Sequence, residues 1–235
     1  MDVLARFAAD PARAAVLLDV DGVLAPIVPR PEDARVPQET QAELRRLSTR
    51  YALVACISGR AEDDARRVVG VPELVYVGNH GLELADGAHE WALRLGDFVT
   101  SVEWPRTEYK GVSAALHFRA VPDEAAARSQ LAEIAVRARD AGFVSRFGRK
   151  VLEIVPPLDA DKGTAVRQLL RERELDRALY VGDDTTDIDA FRALAGLELG
   201  IRIAVVSPES PPQLRDAADI AVAGPAEVVA LLRRL

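Results

Sequence analysis

Short apolar runs alternate along this chain with stretches whose apolar positions recur at helical spacing. Residues 14–20 (AAVLLDV), 51–58 (YALVACIS), 74–78 (LVYVG), 178–184 (ALYVGDD) and 201–206 (IRIAVV) read as strands. Residues 37–50 (PQETQAELRRLSTR, apolar at Leu44 and Leu47), 60–70 (RAEDDARRVVG), 161–174 (DKGTAVRQLLRERE), 185–196 (TTDIDAFRALAG) and 225–235 (PAEVVALLRRL) read as helices. Continuous apolar strands separated by helices predict an α/β fold, a parallel sheet covered on both faces.

The middle of the chain follows a different pattern. Residues 81–93 (GLELADGAHEWAL) read as a hairpin turning at Ala85-Asp86-Gly87, and residues 111–120 (GVSAALHFRA) as a strand. Residues 123–142 place Leu131, Ile134, Ala135 and Ala138 at core spacing on a long helix. FVSRF and KVLEIVP flank Gly148 as a second hairpin. An antiparallel α+β insert over 86–157 therefore divides a discontinuous core of 1–85 and 158–235.

Two acidic clusters stand at strand ends. The run AAVLLDV closes on Asp19 and Asp21 with Gly22 after them, and ALYV leads into Gly182-Asp183-Asp184-Thr185-Thr186-Asp187. Ligands of open α/β sheets bind at the carboxyl ends of strands, and carboxylate oxygens suit a hard cation such as Mg²⁺. A calcium loop is excluded, because Val23, Leu24 and Ala25 replace its later ligands. Asp19 is already ionised and can attack phosphorus without a base to activate it. Asp21 can protonate the leaving oxygen and then deprotonate water. Ser58, before Gly59-Arg60, offers a hydroxyl and backbone N–H groups to an anion. Lys162 offers a point charge for phosphate and for a carboxylate. Asp183 is assigned to the metal, and Asp187 to its waters or to Lys162. Capping of a helix N-terminus explains Asp184 equally well.

Composition narrows the class further. Hydrophobic residues make up 49% of the chain and charged residues 29%, as in a globular domain. The formal net charge is −7 and basic residues are dispersed among acids, which gives no nucleic-acid surface. The single cysteine, Cys56, lies in an apolar run, so an internal disulfide is excluded and a reducing compartment is expected. The start of the chain is a poor signal peptide and no run spans a membrane, so a cytoplasmic location is expected. No pair among the three histidines has metal-ligand spacing, and His89 reads as a hairpin side chain.

The ordered elements DVDG, ISGR, DKG and GDDTTD resemble the haloacid dehalogenase (HAD) superfamily of Mg²⁺-dependent aspartyl-phosphate phosphatases. That resemblance implies a Rossmann-like core with an inserted C2-type cap that selects the substrate. GNHGLEL, EYKGVSAALHFR, KVLEIVP, DKGTA and GDDTTDIDAF are similar, nearly end to end, to the motifs of trehalose-6-phosphate phosphatases. The likeness makes Asp19 the nucleophile, Asp21 the acid/base, and Ser58 and Lys162 phosphate ligands. It gives the metal Asp19, Asp183 and the main-chain carbonyl of Asp21, with Asp187 beside them. Arg60, Asn79, His80, Glu83, Lys110, Ser113, His117, Lys150 and Glu153 become candidates for gripping the sugar phosphate. Ser113, His117 and Arg119 share one parity of their strand and so one polar face, while Val112, Ala114, Leu116 and Phe118 can pack on the cap helix. Val23 stands where the family usually has a hydroxyl, and Ile188 where it usually has an acid.

The expected activity is hydrolysis of trehalose 6-phosphate by a monomer functionally linked to a trehalose-phosphate synthase. The alternatives are a phosphatase or mutase for another sugar phosphate, and a catalytically silent sugar-phosphate sensor.

Overall fold

The computed structural model describes residues 2–119, 121–148, 150–207 and 210–235, and the chain divides into two compact units. The first comprises Met1–Gly81 with Ala160–Leu235, and the second Leu82–Asp159.

In chain order the first part of unit one holds α1 (Val3–Ala8), β1 (Ala14–Leu18), α2 (Gln38–Ser48), β2 (Leu53–Ile57), α3 (Glu62–Val69) and β3 (Val75–Val77). Unit two holds α4 (Ala88–Val102), β4 (Thr107–Tyr109), β5 (Ala114–His117), α5 (Glu124–Asp140), β6 (Val144–Gly148) and β7 (Val151–Val155). Unit one resumes with α6 (Lys162–Glu172), β8 (Arg177–Gly182), α7 (Asp187–Ala193), β9 (Leu199–Val205), α8 (Pro212–Asp216), β10 (Ile220–Val222) and α9 (Gly224–Leu232).

Among the described residues, unit one contains a six-stranded sheet in the order β10-β9-β8-β1-β2-β3, and its pairs are parallel. Every residue of β1, β2 and β8 is buried. That is why these segments read as unbroken apolar runs rather than alternating ones. Val16 and Leu18 of β1 share a core with Leu4, Phe7, Leu44, Leu47 and Val68, each at most 1% exposed. A fully buried side chain of this size contributes about 1.5–3 kcal/mol before entropic cost. The chain moves from β1 to β2 and β3 on one side, then returns to β8, β9 and β10 on the other. The switch in direction falls between β1 and β8, whose carboxyl ends are in register at Leu18 and Val181. Ligand crevices of open α/β sheets form at such a point.

Unit two is an antiparallel sheet in the order β4-β5-β7-β6. One face is apolar: Ala114, Leu116, Leu152 and Ile154 pack with Leu131, Ile134 and Ala138 of α5 and Leu95 of α4. Val112 and Phe118 are also buried, as their parity required.

The insert departs from its sequence reading in the first hairpin and in one added strand: its expected first arm, residues 81–84, belongs to a 3₁₀ segment, Asn79–Leu84, and not to a strand. The turn at residues 85–87 is present, with Gly87 at φ +81°, but residues 88–93 open α4 instead of returning as a strand. Trp91, Leu95, Phe98 and Val102 recur at helical spacing and pack on the same core as α5. The edge strand β4 is too short to carry a pattern and has no counterpart in the sequence reading. Ala120, the last residue of the expected strand 111–120, lies outside the described residues. Among the described residues no helix is long and apolar enough to cross a membrane.

Candidate active site

Four of the candidate groups of unit one sit just beyond strands. Asp19 follows β1, Ser58 follows β2, Asn79 lies two residues past β3, and Asp183 follows β8. The backbone N–H of Asp19 still donates to the Val181 carbonyl at 2.9 Å, so the β1/β8 ladder fixes where the carboxylate begins. Asp19 is 6% exposed; its Oδ1 accepts from the Val20 N–H at 2.7 Å and its Oδ2 meets Lys162 Nζ at 2.8 Å.

Lys162 opens α6 behind a capping box formed by Asp161 and Thr164. A lysine in a first helical turn opposes the macrodipole, and here it is also 2% exposed. Its Nζ lies between Asp19 and Asp187, 2.7 Å from Asp187 Oδ1. Burial disfavours its ammonium, but the two facing carboxylates outweigh that and hold it above its usual range. Lys162 is therefore a permanently charged link between the two acidic clusters.

Asp187 is completely buried and accepts four hydrogen bonds. Oδ1 accepts from Lys162 Nζ and from the Tyr180 hydroxyl at 2.8 Å; Oδ2 accepts from the N–H groups of Asp183 at 2.9 Å and Asp184 at 3.0 Å. A carboxylate has about four acceptor positions, so Asp187 has none left for a cation. It orients the Asp183 loop and Lys162. Tyr180 was not foreseen, because nothing in ALYV distinguishes a core tyrosine from one that donates to a site acid. Burial and the Asp187 charge push its hydroxyl well up, so it remains a donor. Burial likewise pushes the Cys56 thiol up and leaves it an inert apolar group.

Carboxylate oxygens of Asp19, Asp183 and Asp187 lie within 4.8 Å of one another. Burial, together with the neighbouring carboxylates, pushes Asp19 up to about 7 and Asp183 up to about 8, against the opposing pull of Lys162. Three acids share one ammonium, so the site carries unbalanced negative charge. An all-oxygen donor set with that imbalance fits a hard divalent cation. Asp19 and Asp183 have acceptor positions to offer it directly.

Gly22 permits the approach of the two clusters. Its φ is +75°, and a Cβ there would overlap the Asp183 carboxyl group. Gly22→Ala is expected to leave a folded protein whose melting temperature no longer rises with added Mg²⁺, measured by thermal denaturation with and without the ion. A rise equal to that of the parent would show that Asp183 keeps its place.

Arg60 was expected among the substrate-gripping residues. In the structure Nε and Nη2 each donate to Asp21 at 2.7 Å, Nη1 donates to Asp64 at 2.5 Å, and Nη1 and Nη2 reach the Pro31 carbonyl at 3.2 Å. The Ser58 hydroxyl accepts from the Arg60 N–H at 3.2 Å, and Ser58 is buried. Asn79 and His80 both take positive φ, 50° and 55°, directly after β3. The His80 ring packs over Gly59, where a Cβ would stand 2.5 Å from Nε2.

In unit two, Glu108, Ala115, Glu153 and Arg146 are directly opposite one another across four strands, so they share the face away from the helices. Ser113 and His117 have the parity of Ala115 and join them. His117 Nε2 is 3.0 Å from Glu108, Lys110 Nζ is 3.6 Å from the same carboxylate, and Arg146 Nε is 2.8 Å from Glu153. Glu83 precedes α4 and is half-buried. Lys150 differs: its ammonium pairs with Glu124 in the first turn of α5. Glu108 and Arg146 were not among the sequence candidates, although they share this face and pair with His117 and Glu153.

The trehalose-phosphatase family profile matches residues 17–103 and 95–225 of this chain. The trehalose-phosphate phosphatase of Mycobacterium avium (strain 104) is 37% identical over 207 residues, covering 77% of this chain and 51% of that protein. Trehalose 6-phosphate phosphatase RA3 of Zea mays is 30% identical over 94% of this chain and 69% of its own length. This chain thus spans about half the length of the mycobacterial relative. The C-terminal domain of the C. albicans trehalose-6-phosphate phosphatase superposes with a TM-score of 0.68 at 22% identity, covering 98% of this chain and 94% of that one, which is agreement of fold. With Asp19, Ser58 and Asp183 at the ends of β1, β2 and β8, Lys162 opening α6 beside them, and the family profile covering most of its length, the chain belongs to the trehalose-phosphatase family.

Proposed function

We propose that this protein hydrolyses trehalose 6-phosphate to trehalose and phosphate through a phosphoryl-Asp19 intermediate. The observation that carries the reading is Lys162, buried between Asp19 and Asp187 at the carboxyl ends of β1 and β8. Family membership supports the substrate.

An Asp19 oxygen bonds to phosphorus as the bond from phosphorus to the sugar oxygen breaks, and that oxygen takes a proton from Asp21. A water oxygen then bonds to phosphorus, Asp21 takes the water's proton, and the Asp19–phosphorus bond breaks. The cycle ends with Asp19 ionised, Asp21 protonated and phosphate free. Lys162 and Ser58 bind phosphoryl oxygens, and Asp187 and Tyr180 keep Lys162 from moving. Mg²⁺, held by Asp19, Asp183 and the Asp21 carbonyl, would reduce the repulsion between carboxylate and phosphate and stabilise developing charge. Candidates for recognising the sugar are Asn79 and His80 within unit one and, separately, Glu83, Lys110, Ser113, His117 and Glu153 within unit two. Sugar hydroxyls both donate and accept, which suits a mixed set of Glu, Ser, His and Lys side chains. The reading carries with it a cytoplasmic monomer supplied by a trehalose-phosphate synthase.

Free phosphate release from a panel of sugar phosphates, with Mg²⁺ and with EDTA, tests the proposal. Selective release from trehalose 6-phosphate that EDTA abolishes is the expected outcome. Preference for another sugar phosphate would overturn the substrate, and a phosphorylated sugar product would point to a mutase. Turnover unaffected by EDTA would overturn the metal. Glu153→Ala should raise KM for trehalose 6-phosphate about tenfold through the loss of a charge-assisted hydrogen bond. The same variant should leave p-nitrophenyl phosphate hydrolysis unchanged. A fall on both substrates alike would remove Glu153 from sugar recognition.

A further inference from the structure

We propose that Arg60 is a positioning residue for Asp21, holding the acid/base carboxylate in one orientation instead of binding substrate; this rests on the reading of Asp21 as the acid/base.

A guanidinium has five N–H donors and no acceptor. All five of Arg60 are engaged within unit one: two by the Asp21 carboxylate, one by Asp64 and two by the Pro31 carbonyl. None remains for a phosphate oxygen or a sugar hydroxyl. The Asp21 pair is bidentate, the geometry that fixes both the distance and the plane of a carboxylate. The Arg60 side chain is 11% exposed and the Asp21 side chain 42%. The arginine is thus the inner, anchored member and the carboxylate the accessible one. The anchor is redundant: Asp64 lies in the first turn of α3, and Arg67 binds Asp64 from the far side at 2.5 Å.

Asp21 needs such a hold. It follows β1 on a tight turn closed by Gly22 N–H to the Ala25 carbonyl at 2.8 Å, where Val23, Leu24 and Ala25 face inward. The turn fixes the backbone but leaves the exposed carboxylate free to rotate among its staggered rotamers. Arg60 selects one of them. Each carboxylate oxygen uses one acceptor position on Arg60 and keeps the other for a leaving oxygen or a water. Lysine, a single point donor, cannot reproduce the fork.

The test compares Arg60→Met, Arg60→Lys and Asp64→Asn with the parent. On trehalose 6-phosphate, Arg60→Met is expected to lower kcat about a hundredfold, the lower range of general acid/base contributions, with KM within about threefold. Arg60→Lys should recover little, and Asp64→Asn should show a smaller fall in kcat alone. p-Nitrophenolate leaves without a proton, so Arg60→Met should release a burst of it near one equivalent per site, followed by slow turnover. In the Asp21→Asn background, Arg60→Met should have no further effect on kcat.

A rise in KM with kcat preserved would overturn the proposal and make Arg60 a substrate ligand. So would additive losses in the double variant. If Arg60→Met does not fold, Asp64→Asn and Arg60→Lys decide by the same split of kcat from KM. Should Asp21→Asn itself turn over trehalose 6-phosphate normally, the acid/base reading fails. Should Asp21→Asn be inactive while every Arg60 and Asp64 variant is normal, only the positioning proposal fails.

Discussion

Asp19→Asn is expected to lower phosphate release by about four orders of magnitude or more, as loss of a covalent nucleophile does, while the protein stays folded. The amide is nearly isosteric and can still accept from the Val20 N–H, so β1 and its ladder to β8 are undisturbed. Lys162 keeps Asp187 as a partner. The variant also removes one negative charge from a buried group of acids. Its NH₂ then takes the place of Oδ2 and faces the Lys162 ammonium, a loss that offsets the relief of charge, so without divalent cation the variant should melt within a few degrees of the parent. Phosphate release and thermal denaturation, read on the same preparation, check both halves. Near-parental release would eliminate Asp19 as nucleophile, and a large drop in melting temperature would show that the carboxylate is needed for the fold.

Asp187→Ala should be the most destabilising of these site substitutions. It removes the acceptor of four donors in one step: Lys162 Nζ, the Tyr180 hydroxyl and the N–H groups of Asp183 and Asp184. Breaking a buried ion pair by removing one partner costs about 3–5 kcal/mol. For a chain of this size each kcal/mol is worth about 2–4 °C, so the melting temperature should fall by roughly 10 °C. Activity should fall with it, because Lys162 and the Asp183 loop lose the group that orients them. Asp187→Asn should recover only part of the stability: its Oδ1 accepts, but its NH₂ then faces donors. If Asp187→Ala melted within a degree or two of the parent, the hub role assigned to this carboxylate would be wrong.

The core was legible in the sequence because burial on both faces leaves a strand no polar positions. AAVLL, LVACI and RALYVG are apolar for that reason, apart from the leading arginine, and the first polar residue after each marks a strand end that faces the crevice. Asp19, Ser58 and Asp183 could therefore be found without coordinates. The polar parity of Ser113 and His117 was legible for a related reason: an antiparallel sheet with one covered face alternates.

Other features depend on contacts distant in sequence. Nothing near Arg60 announces that it meets Asp21, 39 residues away, and ISGR alone reads equally as an anion-binding turn. The saturation of Asp187 requires knowing that β8 brings Tyr180 beneath it. Residues 88–93 were misread for a local reason. Gly87 is both a hairpin turn residue and a helix entry, and the helical stripe Trp91, Leu95, Phe98, Val102 becomes visible only past the end of that short stretch. Lys150 belonged to a motif but its partner is Glu124 on the helix side, which no spacing along the chain could indicate.

The most direct test of covalent catalysis by Asp19 is to quench the parent during turnover of trehalose 6-phosphate, reduce any acyl phosphate with borohydride and map the modified residue by mass spectrometry. Modification is expected at Asp19, absent without substrate and absent in Asp19→Asn. Modification at a different carboxylate, or undiminished phosphate release by Asp19→Asn with no modified residue in the parent, would contradict it.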